Sequence, residues 1–401
     1  MSWSSVLAVV VLAMGLAVGC GGNDANHDHV NPGDGGNDGA VDADPACLTP
    51  GVLPAMKAQL IVASGLSLPV FVAQPPGSSD LYIVERAGAI KILRGGSLLP
   101  TPFLTVSDVL FMQAGEGGLL SIAFHPDYAT NGRFFVYVTV ASGDTVVREY
   151  QRSANADVAT ATPVATLVTQ PNDGGGNVGG TVLWGPDGML WVGTGDGGNP
   201  PDAADLTSRR GKILRIDPDH PGTAPADNLG GAADPFVWDY GLRNPFRISF
   251  DRKTHELYIA DAGNDKLEEV NIEPMGTGHR NYGWPVVEGT VCADGTTTCN
   301  MAGITLPQYT RPHQIDYSVL IGGVVYRGDA LPCLRGHYLF LIFGSEGHIL
   351  TWDWNGTAVS PEQELTDTFN IDLDVVGINE DQAGELYFTT LGGKLYKIIP
   401  M

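Results

Sequence analysis

Apolar and polar residues alternate with the period of a β-strand in six separate parts of the chain. The clearest are "DLYIVERAGAIKIL" near Leu81, "GMLWVGTGDGG…GKILRIDP" near Leu190 and "HELYIADAGNDKLEEVNI" near Leu257. "HYLFLIFGSEGHILTWDW" near Leu339 and "GELYFTTLGGKLYKI" near Leu386 repeat the form, and "RFFVYVTVASGDTVVREYQR" after Arg133 is a less regular copy. Each unit reads as strand, Gly-rich turn, strand. No stretch longer than about one turn carries helical periodicity. Six sheet units in 401 residues predict an all-β chain folded as a six-bladed β-propeller, with only short edges and a central channel. A pair of β-sandwiches is the alternative, since a β-helix would need a shorter and more regular repeat.

Composition agrees with short strands and tight turns: 53 Gly, 27 Pro and only 17% charged residues. A net charge of −23 repels a phosphate backbone and excludes nucleic acid as a partner. It suits a soluble extracytoplasmic protein or one that collects cations. The nine histidines include no pair at metal-ligand spacing, which argues against zinc or copper.

The opening "MSWSSVLAVVVLAMGLAVGC" is too short to span a membrane and reads as a secretory signal, residues 1–20. Its end, "LAVGC", resembles a bacterial lipobox, which would make Cys20 a lipid anchor at the cell envelope; plain secretion is the alternative. Residues 21–46 hold six Asp, six Gly and two valines as the only large apolar residues, so they read as a flexible acidic tether. His27 and His29 within it are polar linker residues. The propeller would occupy residues 47–401. Four cysteines besides Cys20 suggest disulfides in an oxidising compartment. Cys292 and Cys299 flank the small loop "ADGTTT", which would leave Cys47 with Cys333, although three pairings remain formally open.

The segment "NDGGGNVGGTVLWGPDGMLWVGTGDGG" (172–198) is nearly half glycine, yet no GxGxxG opens a helix after a strand, so it is no dinucleotide fingerprint. Most of this glycine is architectural, turning the chain into and out of a strand.

Six ordered words then carry a resemblance: "GEGGLLSIAFHPDY", "GGTVLWGPDGMLWVGTGDGG", "GKILRIDP", "YGLRNPFRISFD", "DAGNDKLEEVNI…NYGWP" and "IGGVVYRG". Over residues 50 to 400 the chain resembles the glucose/sorbosone dehydrogenase family, which includes quinoprotein glucose dehydrogenase, aldose sugar dehydrogenases and the propeller of hedgehog-interacting protein. The resemblance implies pyrroloquinoline quinone (PQQ) on a calcium ion at the channel mouth, a sugar substrate, and a histidine base. On that basis Asp196 orients the base, Arg243 and Asn244 contact the quinone, and Glu116 is a quinone neighbour. Gly263 and Asn264 supply carbonyls to the quinone-bound calcium, while Glu269 and Tyr282 fall at a second calcium site, where oxygen ligands are what the ion requires. His125, in "AFHPDY", reads as a structural turn residue and Trp284 as core.

The base itself departs from the pattern. The aligned word "NVGGTVL" puts Asn177 at its position, and asparagine accepts no proton near neutral pH. Ile371 and Leu373 stand where the glucose dehydrogenases carry arginines. Three functions follow: a PQQ-dependent aldose dehydrogenase in which water or Glu116 replaces the histidine; a non-catalytic, calcium-binding propeller recognising a protein or glycan; and a calcium-dependent lactonase.

Overall fold

The computed structural model describes residues 52–111, 115–172, 176–313, 319–344, 347–369, 371 and 374–401. Cys20, Cys47, Leu373, the signal and the tether lie outside them. Six antiparallel sheets follow one another along the chain, each with its first strand innermost. Blade 1 begins with Pro69–Ala73, blade 2 with Leu119–Phe124, blade 3 with Thr181–Trp184, blade 4 with Pro245–Phe250, blade 5 with Val319–Val325 and blade 6 with Val375–Glu380. These innermost strands touch in a closed ring, blade 6 meeting blade 1. The ring is also closed by hydrogen bonds, because Met56–Val62, from the start of the described chain, pairs with Leu395–Pro400 as the outer strand of blade 6.

Every unit read from the alternation pattern is the middle pair of strands of one blade, such as Leu81–Glu85 with Ala89–Arg94 and Leu257–Asp261 with Leu267–Glu273. Those strands are legible because they bury both faces between neighbouring blades, as in Phe134–Val138 and Leu339–Phe343, whose side chains are almost wholly covered. The helical content described is limited to single turns such as Tyr128–Asn131.

One regularity is invisible in the alternation. In five of the six innermost strands the register slips at the second or third residue, leaving Val70, Leu120, Phe246, Ile321 and Val376 unpaired in β-bulges. A bulge bends its strand and re-aims one side chain. Here all five point to a single place: they line a throat of about 40 Å³ on the axis, together with Phe343, Leu391, Arg86 and Glu116. Blade 3 contributes Gly180 instead, where a Cβ would come within 2.8 Å of the Phe246 carbonyl.

Cys292 and Cys299 are bonded, as their spacing suggested. Cys333 is also in a disulfide.

Candidate active site

The segments that lead into the innermost strands of blades 2, 3 and 4, and the loop after Leu190–Thr194 in blade 3, meet at one mouth of the channel and bring five of the sequence-predicted residues together. The Asn177 amide N–H donates to the Glu116 carboxylate, and its side-chain Nδ2 donates to Asp196 Oδ1 at 2.8 Å. Asn244 accepts from Gly179 N–H through Oδ1 at 2.9 Å, and its Nδ2 approaches Glu116 Oε2 at 3.4 Å. The Asp196 N–H donates to the Arg243 carbonyl at 2.8 Å. All five side chains are buried.

Local backbone geometry explains much of the glycine. Gly179 sits at φ +72, where a Cβ would lie 2.3 Å from the Gly193 carbonyl, and a Cβ on Gly195 would lie 1.9 Å from that of Asn177. Asn177 itself holds φ +59, a left-handed conformation that asparagine tolerates better than most residues.

Asp196 also accepts from Gly198 N–H at 2.8 Å and, through Oδ2, from the Trp284 indole at 2.9 Å. The indole in turn lies under the Arg243 guanidinium, 5.9 Å from its ring centroid. Trp284, expected to be plain core, is therefore part of the site, and only its polar N–H hinted at this. His125 is the turn residue foreseen: its Nδ1 accepts from Asp127 N–H and faces Asn131, and its Nε2 lies 3.6 Å from Asp219 of the next blade.

Glu116 is the chemically distinctive group. Burial pushes its carboxyl up to about 7, against the opposing pull of Arg243, of the amides of Asn177 and Val178, and of Arg86. Among the described residues its Oε1 has no hydrogen-bond partner, and the same holds for Asn177 Oδ1 and Arg243 Nε. Of these three buried atoms only Arg243 Nε is a donor, and it suits a ligand carboxylate; Glu116 Oε1 and Asn177 Oδ1 are acceptors and suit a ligand hydroxyl or N–H.

The calcium positions divide. Arg243 Nη1 donates to the carbonyls of Ala262 at 2.9 Å and Gly263 at 2.7 Å, so a guanidinium already faces the oxygen that Gly263 was expected to offer. A calcium ion does not fit the Gly263 carbonyl in this arrangement. Asn264, Asp265, Lys266 and Leu267 instead point their N–H groups at Glu288 Oε1, at 2.7 to 3.2 Å.

The second position fits better. Glu269, Tyr282, Glu288 and Asp261 border a cavity of about 10 Å³ beside Arg243. Glu269 accepts from Asn271 and Gly289 and is pushed up to about 7 by burial, with Glu288 and Glu268 adding repulsion. Asp261 is raised well above the usual range by burial and by Glu269. Glu288 Oε2 has no partner. This is an excess of buried negative charge around a space about the size of one ion. No three His, Cys, Asp or Glu side chains converge as a metal-ligating group among the described residues. Any ion would therefore need carbonyl or water ligands beside Glu269 and Glu288. The Tyr282 phenol is not offered to it, since it donates to Glu273 at 3.0 Å. Glu288 carried no signal in the sequence. Ile371 packs against the core.

Solved structures titled glucose dehydrogenase and aldose sugar dehydrogenase share this fold, with TM-scores of 0.72 and 0.70 at 22% identity. The Glucose / Sorbosone dehydrogenase family model matches residues 66–397, and the chain belongs to that family. An uncharacterised protein of Synechocystis is 35% identical over 309 residues, covering 71% of this chain and 72% of its own. The aldose sugar dehydrogenase YliI of Escherichia coli is 27% identical over 356 residues, 85% of this chain and 92% of that protein. Among solved structures, the PQQ-bound aldose sugar dehydrogenase of Streptomyces coelicolor superposes with a TM-score of 0.67 at 25% identity, covering 87% of this chain and 99% of that one. Mouse hedgehog-interacting protein is 28% identical over 394 residues, and the match spans about half its length, 52%.

Proposed function

We propose that the chain is a quinoprotein-type sugar dehydrogenase in which Glu116 takes the place of the missing histidine base. The observation that carries this reading is the Glu116 carboxyl, pushed up to about 7, with a free Oε1 beside Asn177. A group titrating near the working pH is what general-base catalysis asks for. PQQ would be held by Arg243, whose Nε can donate to a carboxylate, while Asn177 Oδ1 can accept from a hydroxyl or N–H; when bound the quinone supplies a two-electron acceptor for the hydride from the sugar C–H. Glu116 Oε1 receives the hydroxyl proton as the C–OH becomes a carbonyl. Asp196 fixes Asn177 and Trp284, while Asn244 holds Glu116 and the Gly179 turn. A calcium ion between Glu269 and Glu288 would stiffen the neighbouring loop. Lipid anchoring at Cys20 at the bacterial cell envelope belongs to the same proposal.

The test is to load the purified protein with PQQ and calcium and follow quinone absorbance through an aldose panel. Sugar-dependent reduction is expected, rising with pH through about 7 as Glu116 ionises. Glu116→Gln should lower kcat by about 10² to 10⁴ and remove that pH limb. Reduction that persists unchanged in Glu116→Gln would sink the assignment of the base.

A second reading is a recognition propeller for a protein or glycan, as the relation to hedgehog-interacting protein suggests by analogy. Asn177 favours it, being locked to Asp196 and unable to take a proton. Calcium binding without any quinone binding would decide for it.

A further inference from the structure

The opposite mouth of the channel holds a cavity of about 550 Å³, formed by the second halves of all six innermost strands. Its size falls within the range of small-molecule sites. Phe71, Phe124, Trp184 and Phe250 supply an aromatic wall, and Arg247 forms part of its inner surface.

Arg247 is only 5% exposed, and among the described residues its guanidinium meets no carboxylate. Nη1 donates to the Gly180 carbonyl at 2.8 Å, and Nη2 to those of Val70 at 2.8 Å and Leu120 at 3.3 Å. The rings of Phe246 and Phe71 lie 4.4 and 5.1 Å from it. It thus ties the throat segments of blades 1, 2 and 3 from below, as a cation compensated only by dipoles and ring faces. Burial pulls it down to about 9. An ion held away from water without a counter-ion is costly.

Asp251 and Glu380, the carboxylates lining this cavity, each pair with an arginine, although Glu380 Oε2 has no partner among the described residues. Asp251 is clasped by Arg327 through two hydrogen bonds of 2.8 and 2.6 Å, and Glu380 pairs with Arg252 at 2.9 Å. That leaves Arg247 as the surplus charge, in a chain of net −23. Three further donors on residues lining the cavity have no partner among the described residues: Ser249 Oγ, Asn379 Nδ2 and the Trp184 indole N–H. Ser249 and Asn379 are more than nine-tenths buried, and Asn379 spends its oxygen on Val72 N–H.

We propose that this lower cavity is a second ligand site, taking a small organic carboxylate with a ring-shaped apolar body. Its carboxylate faces Arg247 and the unpartnered donors, and its ring lies against Phe71, Phe250 and Trp184. A neutral ligand of the same shape leaves the guanidinium uncompensated, so charge is the specificity element. The site is separated from the upper mouth by the throat and does not depend on the dehydrogenase reading.

Isothermal titration of the whole protein with benzoate, and with benzamide as its neutral isostere, tests it. Benzoate is expected to bind at least about tenfold more tightly. Ala73→Trp, which fills the cavity from the end of the first innermost strand, should abolish benzoate binding. Arg247→Met should bring benzoate down to the benzamide level if that variant folds; the cavity-filling variant decides the matter if it does not. Equal affinity for the two probes, no benzoate binding up to about 10 mM, or full binding by folded Ala73→Trp would overturn the proposal.

Discussion

The two mouths of one channel solve the problem of buried charge in opposite ways. Each has a buried arginine from the same short segment, Arg243 above and Arg247 below. Around Arg243 stand Glu116, Asp261, Glu269 and Glu288, so negative charge is in excess and carboxyl groups are pushed upward. Around Arg247 there are only carbonyls and rings, so the cation is the surplus. The three residues between them, Asn244, Pro245 and Phe246, therefore separate a proton-holding, cation-seeking end from an anion-seeking one. Local electrostatics, and not the shared blade architecture, sets what each end can bind.

The sharpest contrast concerns satisfied and unsatisfied polar atoms. Asp196 is fully buried and accepts from Asn177, Gly198 and Trp284. Asp196→Ala strands three donors at once and should cost about 3–5 kcal/mol, read as a lower midpoint in urea with an unchanged slope. Ser249→Ala in the lower cavity removes a hydroxyl that has no partner, so it should move stability by less than about 1 kcal/mol. Comparable losses at both positions would erase the distinction drawn between the mouths.

Acidity offers the next test. A carboxyl raised in the folded state binds its proton more tightly there than in the unfolded chain. Its contribution to stability is therefore present at low pH and is lost as pH rises from the unfolded value through the folded one. Glu116 and Glu269, each raised to about 7, and Asp261, raised well above the usual carboxylate range, all act in this sense. His313, raised by its 2.6 Å contact with Glu268, adds to it, because its charged form is favoured below its folded value. Stability should fall between pH 5 and 8, by on the order of 3 kcal/mol for Glu116 alone. Surface carboxyls lowered by arginines, such as Asp108 and Asp219, work the other way only in more acidic solution. Thermal unfolding of wild type and Glu116→Gln across that range measures the slope; an equal slope in both would remove Glu116 from the account.

How much of this was legible in the chain depends on the range of the interaction. The middle strands announced themselves because both their faces are covered, which produces local apolar runs such as "RFFVYVTV" bounded by Gly-rich turns. The convergence of Glu116, Asn177, Asp196, Arg243 and Asn244 came from ordered words shared with a family, since no spacing rule links residues 128 positions apart such as Glu116 and Asn244. The bulges at Val70, Leu120, Phe246, Ile321 and Val376 left no trace, because a slip of register is defined by the partner strand. The same is true of Arg247, which "NPFRISF" presents as one more strand residue. The Gly263 carbonyl was assigned to calcium on family grounds; that Arg243 reaches it first depends on a side-chain path no motif encodes.

The smallest expected effect bears on whether the upper mouth keeps its negative excess in solution. A cation seated beside Glu269 and Glu288 binds the folded chain alone, so it stabilises in proportion to ln(1 + [L]/Kd). Excess calcium at pH 8 should therefore raise the melting temperature by about 2–4 °C. At pH 5, where protons on Glu269 and Asp261 serve the same purpose, it should do much less. Glu288→Gln keeps the acceptor that holds the N–H groups of residues 264 to 267 but drops the charge, and it should lose the calcium response while folding normally. A wild-type response retained in Glu288→Gln would place the ion elsewhere. The two mouths would then differ by Arg247 alone, and the lower one would be the only end of the channel with an unmet charge.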